Sequence, residues 1–136
     1  MAAEDAIKRD KPAERPTVLV VEDEALPRLA VCEHLRDCGF NVVEAASGAE
    51  AQTLILAGLQ VNLVFSDITM PGGVDGVALA LWLKERGVNA PIVLTSGLPD
   101  SLHAAESACR HVRGFVNKPY DYENLSARFR ALLSDH

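Results

Sequence analysis

Residues 63–73 read LVFSDITMPGG, an apolar run that stops at an acidic residue, Asp67, and passes into a Met-Pro-Gly-Gly turn. A short run of Leu, Val and Phe that is bounded by turn residues is typical of a buried β-strand. An ionised carboxylate at the end of such a strand loses hydration, which costs free energy unless another group offsets its charge. The stretch therefore predicts a strand over 63–66 that delivers a functional carboxylate at Asp67.

Four other apolar runs alternate with segments in which apolar residues recur at helical spacing. The predicted strands cover 17–21, 41–45, 63–66, 92–96 and 114–117. The predicted helices cover 25–38, a segment from Ser47 to about 57, 76–86, 101–111 and 122–133. Ser47, with Glu50 three residues later, is a capping-box pattern that marks the start of the second helix. Strict alternation predicts an α/β fold, a doubly wound five-stranded parallel sheet in the order 2-1-3-4-5 flanked by five helices.

The chain divides into a short charged segment and one domain. Residues 1–16 mix charges of both signs and contain Pro12 and Pro16, which predicts a flexible N-terminal tail. The total of 136 residues fits a single domain, here expected over 17–134. Because aromatic residues make up only 5% of the chain, its core is expected to consist of aliphatic side chains.

Composition argues against several classes of protein. A net charge of -6 disfavours a nucleic-acid-binding surface, which needs clustered Lys and Arg. No segment reaches the roughly 18 apolar residues of a membrane span, and no secretory signal is visible, so we expect a cytoplasmic protein. The three cysteines, Cys32, Cys38 and Cys109, fit no metal or redox spacing and are expected to be buried thiols.

Polar groups follow four of the predicted strands at the point where each strand ends. They are Glu22-Asp23 after the first, Asp67 after the third, Thr95-Ser96 in the last two positions of the fourth, and Lys118 after the fifth. Ligands of doubly wound sheets bind outside the carboxyl ends of the strands, at the switch point between strands 1 and 3. The sequence therefore predicts one site that contains all of these groups.

The chemistry of the site follows from its charges. Glu22, Asp23 and Asp67 would repel one another in one pocket unless a cation offset them. Oxygen ligands select a hard cation such as Mg²⁺, which also shares phosphate oxygens. Lys118 supplies a point charge for a phosphoryl oxygen. A carboxylate beside Mg²⁺ and lysine is a competent nucleophile toward phosphorus, which would give an aspartyl phosphate at Asp67.

Each residue also has a simpler interpretation when it is taken alone. Glu22-Asp23 could cap the following helix, Asp67 could serve a turn, and Lys118 could be a solvated strand end. Their occurrence together at one edge of the sheet favours the site. The Lys118-Pro119 bond is a candidate cis peptide that would fix the direction of the lysine.

In these residues and their order, the chain resembles the receiver domain of two-component response regulators, which has the CheY-like fold. The resemblance covers 17–133 and rests on VLVVED at 18–23, DITMP at 67–71, Asp75-Gly76, TSG at 95–97 and KPY at 118–120. The loop at 70–76 is one residue longer than the usual form, which predicts a more mobile loop at the edge of the site.

The resemblance implies a role for each residue of the site. Asp67 is the expected phosphoacceptor, Glu22 and Asp23 the acidic pair that binds Mg²⁺, the Thr69 backbone carbonyl a further ligand, Lys118 the motif lysine, and Phe115 the switch aromatic. For the switch hydroxyl we favour Ser96, which lies 22 residues before Lys118. Thr95 remains the alternative.

The resemblance implies a phosphorylation-activated signalling switch of a two-component phosphorelay, and we expect a stand-alone receiver. A receiver excised from a larger response regulator or hybrid kinase is the alternative. The expected partners are a histidine kinase or histidine phosphotransfer protein and an unknown downstream protein. We expect no binding to nucleic acid or membrane, and we expect the protein to be a monomer or weak dimer.

Two other classes fit less well. A phosphohydrolase of the haloacid dehalogenase type needs a second Asp two residues after the nucleophile, where this chain has Thr69. We therefore expect no enzymatic activity beyond self-phosphorylation from a phosphodonor and slow autodephosphorylation. A flavodoxin-like electron carrier needs a loop after strand 1 that holds a flavin phosphate, which Glu22-Asp23 would repel.

Overall fold

The structure is a computed structural model that describes residues 15–135. Almost all of the predicted N-terminal tail, residues 1–14, lies outside the described residues. The strands are β1 Thr17–Val21, β2 Asn41–Ala45, β3 Leu63–Asp67, β4 Ile92–Ser96 and β5 Gly114–Asn117. The helices are α1 Ala25–Asp37, α2 Gly48–Leu56, α3 Gly76–Glu85, α4 Pro99–Ala108 and α5 Tyr122–Asp135.

All five strands run parallel in the order β2-β1-β3-β4-β5, which confirms the predicted topology. The register places Asp67 beside Thr95, and Ser96 beside Asn117. Because the strands are parallel, their carboxyl ends meet at one edge of the sheet. Crossover order reverses between β1 and β3, which places the ends of those two strands at the switch point.

Two clusters of apolar side chains form the core, one on each face of the sheet. We call them the α3 cluster and the α5 cluster. The α3 cluster joins alternate strand residues such as Leu19 and Val64 to α2, α3 and α4. The α5 cluster joins the intervening strand residues, such as Val18 and Phe65, to α1 and α5. Alternation along buried strands explains why neighbours in the chain enter different clusters.

Side-chain caps begin two helices, and the cap at Ser47 confirms the predicted capping box. The Ser47 hydroxyl accepts a hydrogen bond from the Glu50 N–H at 3.0 Å, and the Glu50 carboxylate accepts one from the Ala46 N–H at 3.0 Å. The carboxylate of Asp75 accepts a 2.8 Å hydrogen bond from the Ala78 N–H and so caps α3. These bonds satisfy backbone donors that the first turn of a helix leaves unpaired.

Two expectations need correction. Helix α4 runs over Pro99–Ala108 and not over 101–111, because proline lacks the N–H that the first helical position leaves unused. The helix also ends before His111, since Cys109 has left helical geometry at φ -125° and ψ 74°. Cys38 is half-buried, whereas Cys32 and Cys109 are buried as expected.

No helix within the described residues combines the length and the apolar composition that crossing a bilayer requires.

Candidate functional site

Three side chains from three strands meet at the carboxyl edge of the sheet. Glu22 follows β1, Asp67 ends β3, and Lys118 follows β5. The Lys118 ammonium donates to Asp67 Oδ2 and to Glu22 Oε1, each over 2.9 Å. The two carboxylate side chains are 8% exposed and the lysine side chain 27%. The peptide bond between Lys118 and Pro119 is cis, as predicted.

A third carboxylate, that of Asp23, completes an acidic cluster. One oxygen from each of Glu22, Asp23 and Asp67 lies within 4.8 Å of the other two. Three carboxylates and one ammonium leave a net negative charge, which a divalent cation would offset. The donors are all oxygens, the ligand type that hard cations prefer. The cluster therefore fits a metal ion held by Glu22, Asp23 and Asp67.

Burial and charge set the protonation of the site. Burial raises the pKa of Asp67; Lys118 opposes this effect and the Glu22 carboxylate adds to it, so that the pKa stays above its ordinary value. Burial and the adjacent Glu22 likewise raise the pKa of Asp23. For Glu22, the hydrogen bond from the Glu24 N–H and the ammonium of Lys118 outweigh burial and lower the pKa. The pKa of Lys118 is raised, because its two carboxylate partners outweigh burial, and the ammonium is therefore charged at neutral pH.

The end of β3 is held closely by its neighbours. The Ile68 N–H donates to the Thr95 carbonyl at 2.9 Å, and the Ile68 carbonyl accepts from the Gly76 N–H at 2.8 Å. A Cβ atom at Gly76 would collide with the carbonyl oxygen of Asp67, so α3 can approach the strand only with glycine there. These contacts fix the segment that carries Thr69, whose N–H lies 3.4 Å from Asp67 Oδ1.

The two candidate switch hydroxyls have different partners. Thr95 Oγ1 donates to the Val116 carbonyl at 2.8 Å, whereas Ser96 Oγ accepts from the Leu98 N–H at 3.0 Å. Within the described residues, neither hydroxyl hydrogen-bonds to Asp67. The half-buried ring of Phe115 packs against the α3 cluster, beside Leu94 in register.

Sequence reasoning missed one polar residue at this edge, Arg28 of α1. Its Nη1 donates to the Glu22 carbonyl oxygen at 2.9 Å. No short motif marks this contact in the sequence, because it depends on how α1 packs against the edge of the sheet.

A depression of about 400 Å³ opens beside Lys118. The residues around it come from the start of α1 and from the segment between β5 and α5: Glu24, Pro27, Lys118, Pro119, Tyr120 and Tyr122. Leu26, next to Pro27 in the chain, is 81% exposed. The site thus opens toward a surface that is partly apolar.

Comparison with known proteins agrees with this arrangement. Residues 18–130 match the family described as the response regulator receiver domain. The chain belongs to this family. It is therefore a receiver, a phosphorylation-activated switch of two-component systems, and receivers interact with histidine kinases or phosphotransfer proteins.

Curated relatives of this receiver include a sensor kinase and a respiration control protein. The aerobic respiration control protein ArcA of Escherichia coli is 32% identical over 119 residues, which cover 88% of this chain and 49% of ArcA. The sensor kinase CckA of Brucella abortus is 32% identical over 118 residues, which cover 86% of this chain and 12% of the kinase. The chain thus spans half or less of the length of these relatives.

Solved receiver structures share the fold over nearly their whole length. A response regulator receiver protein from Sinorhizobium medicae has a TM-score of 0.80 and 28% identity, covering 90% of this chain and 97% of that one. The response regulator TrrA of Thermotoga maritima, solved in complex with Mg²⁺ and BeF, has a TM-score of 0.76 and 26% identity, covering 86% and 98%.

Proposed function

We propose that Asp67 accepts a phosphoryl group from the phosphohistidine of a histidine kinase or phosphotransfer protein. The observation that carries this proposal is the position of Lys118, 2.9 Å from both Asp67 and Glu22 within an acidic cluster. A carboxylate oxygen of Asp67 attacks phosphorus while the phosphorus–nitrogen bond of the donor breaks. The electron pair of that bond leaves with the donor imidazole, and Asp67 becomes an acyl phosphate.

We assign the cation to Mg²⁺, with Glu22, Asp23 and Asp67 as carboxylate ligands and the Thr69 backbone carbonyl as a further one. The all-oxygen donor set and the net negative charge of the cluster support this assignment. When bound, Mg²⁺ would offset negative charge on the phosphoryl oxygens during transfer. TrrA of Thermotoga maritima, a relative by structure, was solved with Mg²⁺ and BeF.

Lys118 serves both states of Asp67 in this proposal. Before transfer, its ammonium neutralises part of the charge on Asp67 and Glu22. After transfer, the same ammonium can donate to a phosphoryl oxygen, because the acylated carboxyl of Asp67 is no longer charged and the phosphoryl oxygens carry the negative charge at this position. The lysine thus stays paired throughout.

We propose Ser96 as the switch hydroxyl and Phe115 as the switch aromatic. The hydrogen bond from Leu98 uses the oxygen of Ser96 and leaves the hydroxyl proton able to donate to a phosphoryl oxygen. The proton of Thr95 is already used by the Val116 carbonyl, which disfavours the alternative. A bond from Ser96 to the phosphoryl group would pull the loop after β4 and free space for the Phe115 ring.

The rest of the proposal concerns partners and output. We expect the phosphodonor protein to dock over the depression beside Lys118 and the exposed side chain of Leu26. The receiver then signals by binding a downstream protein or by onward phosphotransfer, as a monomer or weak dimer in the cytoplasm. It is no enzyme for small phosphoesters, since Thr69 stands where a phosphohydrolase of the haloacid dehalogenase type has its second Asp.

Mass spectrometry of the intact chain tests the acceptor. Incubation with Mg²⁺ and a small donor such as acetyl phosphate should add one phosphoryl group that hydroxylamine removes. Asp67→Asn should abolish the addition. Asp75→Asn is the matched control, because this carboxylate lies in the same loop but only caps α3. Equal labelling of Asp67→Asn and the native chain would show that the acceptor lies elsewhere.

A further inference from the structure

Arg28 connects α1 to the strand end that carries the acidic pair, and we infer that it is a positioning residue for the divalent cation. It would act by fixing the peptide between Glu22 and Asp23, and it would touch neither the metal nor the phosphoryl group. The inference rests on the proposed function, since it concerns how the same site holds its cation.

The Arg28 guanidinium makes two directed contacts. Nη1 donates to the Glu22 carbonyl oxygen at 2.9 Å, and Nε donates to Glu44 Oε1 at 3.2 Å. The Arg28 side chain is 17% exposed, and that of Glu44 26%. Because the guanidinium is planar and held at two points, the direction of its Nη1–H toward Glu22 is fixed.

The backbone of Glu22 is consequently held on both sides. Its N–H donates to the Ala45 carbonyl of β2 at 3.0 Å, and its carbonyl accepts from Arg28. That carbonyl belongs to the peptide group that leads into Asp23. Rotation of this peptide would redirect the Asp23 side chain relative to Asp67. The bond from Arg28 therefore opposes the rotation that would break up the acidic cluster.

Arg36 provides a matched comparison on the same helix. Its guanidinium donates to Glu44 Oε2 at 3.2 Å and to the Val42 carbonyl at 3.1 Å. It therefore shares Glu44 with Arg28 and carries the same charge, but it makes no bond to Glu22. A comparison of the two arginines separates the contact with Glu22 from the ion pair with Glu44.

The two effects of Arg28, its charge and its positioning bond, predict opposite changes in Mg²⁺ affinity when Arg28 is replaced. If only long-range electrostatics matter, removal of the guanidinium should tighten cation binding, because the guanidinium repels the divalent cation. Loss of a positioning bond should weaken it, since groups that orient metal ligands typically contribute about 10–100-fold in affinity. Arg28→Met removes the donors and the charge while it keeps an apolar side chain of similar length.

The test is a Mg²⁺ titration of the intact chain, followed by amide chemical shifts of Asp23, Asp67 and Thr69. We expect Arg28→Met to bind Mg²⁺ about tenfold more weakly than the native chain, with the shift of the Asp23 amide changed before Mg²⁺ is added. Arg36→Met should bind as tightly as the native chain or more tightly. Phosphorylation of Arg28→Met should recover at saturating Mg²⁺. Unchanged or tighter binding by Arg28→Met would overturn the inference.

Two measurements keep the result decisive. Thermal unfolding of both arginine variants shows whether they fold; if Arg28→Met does not, Arg28→Lys takes its place, because it keeps the charge and loses the two-point contact. We expect Arg28→Lys to bind at least about threefold more weakly, and native affinity would overturn the inference. Failure of the native chain to bind Mg²⁺ or to label at Asp67 would instead contradict the proposed function itself.

Discussion

The Thr95 hydroxyl, near the end of β4, donates a 2.8 Å hydrogen bond to the carbonyl oxygen of Val116 in β5. Ser96 is the next residue along β4. The Ser96 carbonyl in turn accepts a 2.9 Å hydrogen bond from the Lys118 N–H. Thr95 is therefore a structural tie between β4 and β5. Ser96 combines an anchored backbone with a hydroxyl proton that is free to reach a new acceptor.

This difference predicts separate phenotypes for the two hydroxyls. With beryllofluoride as the phosphoryl mimic, we expect amide shift changes in α4 and β5 of the native chain, and Ser96→Ala should lose them while Asp67 still labels with a phosphodonor. Thr95→Val should keep those changes and lose about 1 kcal/mol of stability, because the Val116 carbonyl loses its side-chain donor. If Thr95→Val alone silences α4, then Thr95 is the switch and our assignment of Ser96 is wrong.

Lys118 should matter for rate more than for acceptor identity. Lys118→Met should slow labelling of Asp67 by about a hundredfold at saturating Mg²⁺, as expected when one preorganised charge is lost. The pKa of Asp67 should rise further, because the ammonium that opposes the effect of burial is gone. Timed mass spectrometry and carboxyl ¹³C shifts measure the two effects. Lys84→Met, a change at an exposed lysine of α3, is the control and should label like the native chain.

The close approach of α3 to the acceptor strand predicts intolerance at one glycine. Gly76→Ala should lower stability by at least about 1 kcal/mol, since the new methyl group meets the Asp67 carbonyl and the Ile68 backbone. Urea unfolding measures this loss, and labelling of Asp67 should also slow. At Gly73, in the same loop, an added Cβ meets nothing within 4 Å, so Gly73→Ala should change neither property. Similar behaviour of the two variants would contradict the contact.

Cys32 predicts how stability falls in alkaline solution. Burial raises the pKa of its thiol to about 11, above the ordinary value in the unfolded chain. Its contribution to stability is therefore complete below the unfolded pKa and is lost as pH rises through the folded pKa. Urea unfolding between roughly pH 8 and pH 11 should show a steeper decline for the native chain than for Cys32→Val, which has no thiol to ionise. Parallel declines would mean that the thiol does not ionise with a raised pKa.

Most of the fold could be predicted because apolar runs alternate with segments of helical spacing, and polar residues mark the ends of four of the five runs in the sequence. The strand order and the Ser47 cap of α2 followed from alternation and from capping chemistry. The start of α4 at Pro99 was harder to place, because proline marks both a turn and a first helical position.

The candidate site likewise contains residues that could be predicted from the sequence and one contact that could not. Asp67, Glu22 and Lys118 could be placed together because parallel strands deliver their carboxyl ends to one edge. The bond from Arg28 to the Glu22 carbonyl could not, since it depends on the angle at which α1 crosses that edge. Contacts between a side chain and a distant backbone group leave no periodic trace in a sequence.

The separation of the core into the α3 cluster and the α5 cluster has a consequence for how this receiver can diversify. Phe115 packs with the α3 cluster, whereas Tyr120, beside the depression at Lys118, packs with the α5 cluster. Substitutions on opposite faces of the sheet share few partners, so their energetic effects should add nearly independently. On the proposed function, with the phosphodonor beside Tyr120 and the output surface near Phe115, selection could retune one of these surfaces while the other keeps its packing, and a lineage could exchange partners one at a time.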